Sequence, residues 1–181
     1  MSTASQNRHV LSILVEDRFG ELARIVGLFS GRGFNIDAIS ASHTLEPEMS
    51  RVMLVTRGDD TVIEQIIKQV NKLLRVRKVN DMAATPHFER ELCVVNVRAT
   101  GPKGEEELER VLRLTGAHVL SHYSNGFTVE LAASPDQIDS FLERLRPLGI
   151  RDMVRSAPIA IAKPAAESDA PADSATLGAT G

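Results

Sequence analysis

The sequence predicts an α+β protein made of two consecutive βαββαβ units, each an antiparallel sheet carrying two helices on one face. Two observations support this. Apolar residues recur with a period near 2 or near 3.6 in the order strand, helix, strand, strand, helix, strand, and that order then occurs a second time. The chain has 181 residues, 43% of them hydrophobic, which suits two cored units of about 75 residues each.

The first unit opens with a strand over 8–15, apolar from Val10 to Val15. A polar turn leads to Gly20 and a helix over 20–32, with Leu22, Ile25, Val26 and Phe29 at i, i+3, i+4 and i+7. Gly33 stops that helix, and a strand over 34–43 follows. A turn-rich stretch containing Pro47 joins it to a strand over 51–57. The helix over 61–74 places Ile63, Ile66, Ile67, Val70 and Leu74 on one face, and Thr61 with Glu64 reads as its capping box. A strand over 76–84 completes the unit.

The second unit begins at Leu92–Ala99, where Cys93, Val95, Val97 and Ala99 alternate with Leu92, Val94, Asn96 and Arg98. A helix over 104–115 has Glu105, Glu106 and Glu107 in its expected first turn, where acids complement the helix dipole. Asn125-Gly126 predicts a type I′ hairpin, because both residues favour positive φ. Phe127, Val129 and Leu131 mark the next strand. Ser134, Pro135 and Gln137 open the last helix, with Ile138, Phe141, Leu142 and Leu145 inward, and a strand over 149–161 ends the fold. The expected divisions are 8–84 and 88–162, with Thr85-Pro86-His87 between them. Residues 1–7 and the aperiodic Ala/Pro/Ser/Asp/Gly tail 163–181 are expected to be disordered. Neither unit has a helix to spare for the second face of its sheet. Ile36, Ala38 and Ile39 leave apolar side chains on both faces, so a homodimer is expected.

Composition excludes several function classes. The formal charge is −3, and the tail's one lysine and three acids account for two of those charges, so the body lacks the basic face that nucleic acid requires. Strands 51–57 and 92–99 hold no aromatic residue on which a base could stack. No apolar stretch reaches a membrane span and the N-terminus has no apolar signal region, so a cytoplasmic protein is expected. The single cysteine, Cys93, lies in a strand and reads as a buried thiol. Gly31-Arg32-Gly33 and Gly101-Pro102-Lys103-Gly104 lack the rest of a phosphate loop and read as a helix stop and a turn. His118 and His122 have no third ligand at metal spacing, and His9, His43 and His87 stand alone. No nucleophile, base or paired-carboxylate motif is present, so no catalytic residue, metal or cofactor is assigned to this chain.

One segment carries chemistry. Gly20 leaves room at the first amides of its helix, which lack intrahelical partners and favour a carboxylate. Asp17 can hold an ammonium, and Asn35 offers both a donor and an acceptor. Together they can read the head of an amino acid. An ordinary strand–turn–helix with Asp17 as its cap is the plainer alternative. Gly20, Ala23, Gly27 and Gly31 form a small-residue face on the same helix, suited to close approach by another subunit or simply to solvent.

The runs Glu16-Asp17, Gly20-x-Leu22, Arg24-Ile25, Leu28-Phe29 and Arg32-Gly33-Phe34-Asn35-Ile36 resemble the opening signature of the ACT domain in the small regulatory subunits of acetolactate (acetohydroxyacid) synthase. Ser50-Arg51, Gly58-Asp59, Glu64-Gln65-Ile66, Lys68-Gln69, Lys72-Leu73 and Arg90-Glu91-Leu92 extend the resemblance over residues 8–160. Asp17 stands where some members have Asn, and Phe19 where Pro is common. The resemblance implies an ACT domain followed by a second ferredoxin-like domain, dimerised through the ACT domains. It also implies a branched-chain amino acid, chiefly valine, bound at that interface, giving feedback inhibition of a separate catalytic large subunit that the small subunit activates. Thiamine diphosphate, Mg²⁺ and FAD would belong to that large subunit. Carried onto this chain, the implied effector residues are Asp17, Gly20 and Leu22 from one copy and Asn35 and Ile36 from the other. An ACT-type sensor of a different enzyme is the alternative.

Overall fold

The structure, a computed structural model, describes residues 7–164; the rest of the two segments expected to be disordered, 1–6 and 165–181, lies outside it. The first sheet comprises β1 (Asn7–Glu16), β2 (Ala38–His43), β3 (Met49–Gly58) and β4 (Val76–Asp81), in the order β2-β3-β1-β4 with every pair antiparallel. Helices α1 (Glu21–Gly31) and α2 (Asp60–Val70) cover one face. Leu11, Ile13, Val15, Val52 and Leu54 point from the sheet into a core closed by Ile25, Phe29, Ile63, Ile66 and Val70. Each of these side chains contributes about 1.5–3 kcal/mol on leaving water.

The second sheet repeats the design with β5 (His87–Val97), β6 (His118–Tyr123), β7 (Gly126–Ala133) and β8 (Ile150–Arg155), ordered β6-β7-β5-β8. Helices α3 (Gly101–Thr115) and α4 (Pro135–Leu145) cover one face over Cys93, Val95, Val97, Val129 and Leu131. Cys93 is buried, and that burial pushes its thiol up. The α+β class and the two ferredoxin-like sheets are as expected.

Several local expectations change. Asn7, expected in the disordered start, pairs with Gly58, and Lys163, expected in the tail, donates its amide to the Pro86 carbonyl at 2.9 Å. The second strand begins at Ala38 rather than 34, leaving Phe34, Asn35 and Ile36 in the connection. Helix α2 is capped by Asp59, whose side chain accepts from the Val62 amide at 2.9 Å; Thr61 and Glu64 form no box. The helix ends at Val70, so Leu74 is exposed rather than inward. Helix α3 takes in Gly101–Gly104 as its first turn, because Pro102 suits the helix start, and the three glutamates shift to its second turn. The hairpin loop is Ser124-Asn125, with neither residue at positive φ, so it is not type I′. Gly126 is small for another reason: a Cβ there would run into the Val97 carbonyl. A bulge between Val119 and Ser121 turns His118 and His122 to opposite faces, and His122 stacks on Phe127 with centroids 4.4 Å apart. The box at Ser134 forms as expected, the Ser134 amide donating to Gln137 Oε1 at 3.1 Å.

The largest departure is at the end of the chain. The single expected strand 149–161 breaks at Ser156–Pro158, and its second part, β9 (Ile159–Ala162), pairs with the first four residues of β5. That small ribbon crosses to the helix-free face of the first sheet. Ala160 packs there with Val10, Met53, Val55 and Met82 in a separate apolar cluster. Ser40 Oγ donates to the Pro158 carbonyl at 3.3 Å. Arg8 pairs with Glu89, and Arg155 with Glu91 and Asp139. The face expected to need a second chain is thus partly covered by the chain itself.

Candidate functional site

Turn 17–20 is held at two points by Glu48. The Asp17 amide donates to the Glu48 carbonyl at 2.7 Å, and Arg18 pairs with the Glu48 carboxylate at 3.0 Å. Glu48 takes φ 61°, a conformation costing a non-glycine residue about 1–2 kcal/mol, so the loop before β3 is bent to meet this turn. Gly20 follows at φ 85°, which explains a glycine at this position, and a Cβ there would meet nothing within 4 Å.

The consequence is an open helix start. The Arg24 amide reaches the Gly20 carbonyl at 3.0 Å and the Glu21 amide the Arg18 carbonyl at 3.3 Å. No side chain caps α1, however, and the Leu22 and Ala23 amides have no acceptor among the described residues. Asp17 is therefore not the cap that the plainer reading required. Beside this helix start lies a cavity of about 270 Å³ bordered by Val15, Asp17, Leu22, Ala41, His43 and Val52. Its size is at the small end of ligand pockets, fitting a metabolite rather than a nucleotide. Leu22, expected in the core, is half-exposed and faces this cavity; Ile25 and Phe29 alone of the expected stripe are fully buried.

Two residues at the cavity are not singled out by the motif reading of the sequence. His43, read as isolated, has Nδ1 3.1 Å from Asp17 Oδ2, because β2 brings it across from the turn. Glu21 is only 4% exposed and accepts from Arg24 at 2.6 Å and Arg75 at 3.2 Å. Its position in the first turn of α1 was the available signal, since an acid there complements the dipole. Asn35 and Ile36 lie elsewhere within one chain. Asn35 Nδ2 donates to Asp37 at 2.5 Å, its carbonyl accepts from Thr56 at 2.6 Å, and Ile36 packs against the first core. Among the described residues no group of three or more His, Cys, Asp or Glu is placed to hold a metal, and no helix is long and apolar enough to cross a membrane.

Comparison with known proteins decides the family. A profile described as "AHAS small subunit-like ACT domain" matches residues 11–78, and one described as "Small subunit of acetolactate synthase" matches 90–164. The chain is 36% identical over 157 residues to the acetolactate synthase isozyme 3 small subunit of Salmonella typhimurium, covering 86% of this chain and 96% of that one. The chain belongs to the acetolactate synthase small-subunit family. It is also 36% identical over 155 residues to the Mycolicibacterium smegmatis small subunit, covering 86% and 91%. A crystal structure of the Thermotoga maritima small subunit superposes with a TM-score of 0.77 at 26% identity, covering 87% and 98%. As a small subunit of that family the chain is regulatory, and its first unit is an ACT domain.

Proposed function

We propose that the chain binds a branched-chain amino acid, chiefly valine, where two ACT domains meet, and that binding inhibits a catalytic large subunit which the chain otherwise activates. The observation that carries this reading is the uncapped start of α1 opening beside the Asp17 cavity in a chain of this family. The ligand carboxylate would take the free amides of Leu22 and Ala23, which also lie at the positive end of the helix dipole. Its ammonium would sit by Asp17, and Val15, Leu22 and Val52 would receive a small aliphatic side chain. Ala41 and His43 border the cavity from β2, the edge strand of the sheet. A second copy docked along that edge would bring its own Asn35 and Ile36 to the cavity. The site would then need both chains, and the ligand would favour one dimer geometry over another. In this reading residues 8–84 bind the effector and 88–162 form a second unit, in a cytoplasmic complex whose thiamine diphosphate, Mg²⁺ and FAD lie in the large subunit.

Gly20→Asp tests the site. Aspartate tolerates the backbone angle of position 20 and sets a carboxylate where the ligand's own carboxylate belongs. Calorimetric titration of the variant should show valine affinity down by a factor of at least about 10, with activation of the large subunit retained, since like charges in one pocket repel. Valine inhibition undiminished in this variant would remove the site.

A further inference from the structure

The acids that border the α1 cavity are Glu16, Asp17 and Glu21, and two of these three are already held by arginines. Glu16 pairs with Arg77, and Glu21 accepts from Arg24 at 2.6 Å and Arg75 at 3.2 Å. Arg18, the arginine at the cavity's border, is taken up by Glu48 at 3.0 Å. Asp17 differs from its neighbours. Its one ion-pair partner among the described residues is His43, with Nδ1 3.1 Å from Asp17 Oδ2.

That difference in partner matters. Arginine stays charged at any physiological pH, whereas histidine is the side chain whose charge ordinarily changes in this range. Among the described residues, Asp17 is therefore the acid at this cavity whose counter-ion can be withdrawn without moving the chain. The pair is also accessible, the His43 side chain being 85% exposed and that of Asp17 45%, so that protons and a ligand both reach it. Its two charge states treat an ammonium in opposite ways. A protonated imidazole neutralises the carboxylate and repels a second cation beside it. A neutral one leaves Asp17 with an uncompensated charge that attracts the ammonium.

From this pairing we infer that His43 competes with the effector's ammonium for Asp17 and so sets how tightly the cavity holds an amino acid. The inference rests on the effector site proposed above and adds a control on it. Gaining a proton at His43 weakens binding, losing it strengthens binding, and a ligand that binds the protonated chain displaces that proton. The other charged groups around the pair are tied up elsewhere: Glu16, Arg18, Glu21 and Glu48 each have the ion pair named above, and Glu46 borders a different cavity. Strand β3 places the uncharged Ser50 opposite His43.

Calorimetric titration of the full chain with valine tests the competition, with His43→Gln and His43→Lys beside the wild type. Glutamine keeps a polar side chain without the charge, and lysine keeps the charge throughout. His43 is exposed at the end of an edge strand, so neither change reaches the core. In low salt the wild type should bind valine about threefold more tightly at about pH 8 than at about pH 6, the scale of one exposed charge. His43→Gln should show the tighter affinity at both values and His43→Lys the weaker, and added salt should narrow the gap between them. At the lower pH, buffers of different ionisation enthalpy should report protons released on binding to the wild type and none with His43→Gln. If valine binds all three proteins alike, or if His43→Gln keeps the pH dependence, this inference falls while the effector site stands. A His43→Gln variant that binds more weakly than the wild type at both values would make His43 a ligand contact, and overturns it too. If valine binds none of the three, the effector site is lost and the inference with it.

Discussion

The two sheets have one topology and treat their second face in opposite ways. In the first, Val10, Met53 and Val55 on the helix-free side are nearly as buried as the core beneath the helices, because Met82 and the β9 ribbon lie over them. In the second, the equivalent side carries Leu92, Val154 and Ile161 half-exposed or more. The difference comes from the last strand. After β8 the chain breaks at Ser156–Pro158, where proline cannot donate to the ladder, and residues 159–162 resume pairing farther along β5, at its first four residues. The covered face is thereby part of a folded unit, and the open one stays exposed among the described residues.

The same substitution on the two faces breaks or sharpens this contrast. Val55→Asp would bury a carboxylate without a partner between β3 and the ribbon. It should cost at least about 3 kcal/mol in urea unfolding. Val154→Asp, on the open face, should change stability by less than about 0.5 kcal/mol in dilute protein, as surface changes do. Equal effects would mean that the ribbon does not shield the first sheet.

The seam between the units is the next largest effect. Arg8 on β1 reaches Glu89, which is 13% exposed, and lies 3.8 Å from Glu91, which is 6% exposed. The hydrogen bonds that Arg8 donates to Glu89 hold its guanidinium above its ordinary pKa despite desolvation. Among the described residues, Arg8→Ala would leave Glu89 with only His87 nearby at 3.8 Å, at a cost of about 1–3 kcal/mol. Arg8→Lys should recover part of that loss but not all, because a point charge cannot replace the planar fork. A neutral outcome for Arg8→Ala would show that the ribbon alone joins the units.

How much of this is legible in the sequence depends on the distance over which each residue finds its partner. The order of the elements, the Ser134 box and the inward stripe of α4 are local, and the residue pattern carries all three. It also carries the turn into α1 at Gly20, because a glycine opening a helix is itself a local signal. Contacts that require a fold-back leave no such trace. His43 meets Asp17 only because β2 returns antiparallel to β3, and Arg75 meets Glu21 only after α2 has brought the chain back. The α2 cap departs from expectation for a smaller reason: Thr61 and Glu64 satisfy the box pattern, but Asp59, two residues earlier, reaches the Val62 amide first. The β9 cover is hidden because Ile159–Ala162 continues the alternation of β8 and only the proline hints at a break.

That cap supplies the smallest and most pointed comparison, between the two helix starts of the ACT domain. At α2 the carboxylate of Asp59 satisfies a free amide; at α1 no side chain does so. Asp59→Ala should therefore cost about 1 kcal/mol, the ordinary value of a lost cap, with valine binding unchanged. No such loss is available at α1, because no side chain caps it; in the proposed function its free amides take the ligand. Saturating valine should accordingly raise the melting temperature of the wild type and of Asp59→Ala by the same increment, and should fail to raise that of Gly20→Asp. If instead Asp59→Ala abolished the valine increment, the ligand's anchor would lie at α2, and the open start of α1 would be an unsatisfied helix end with no role in binding.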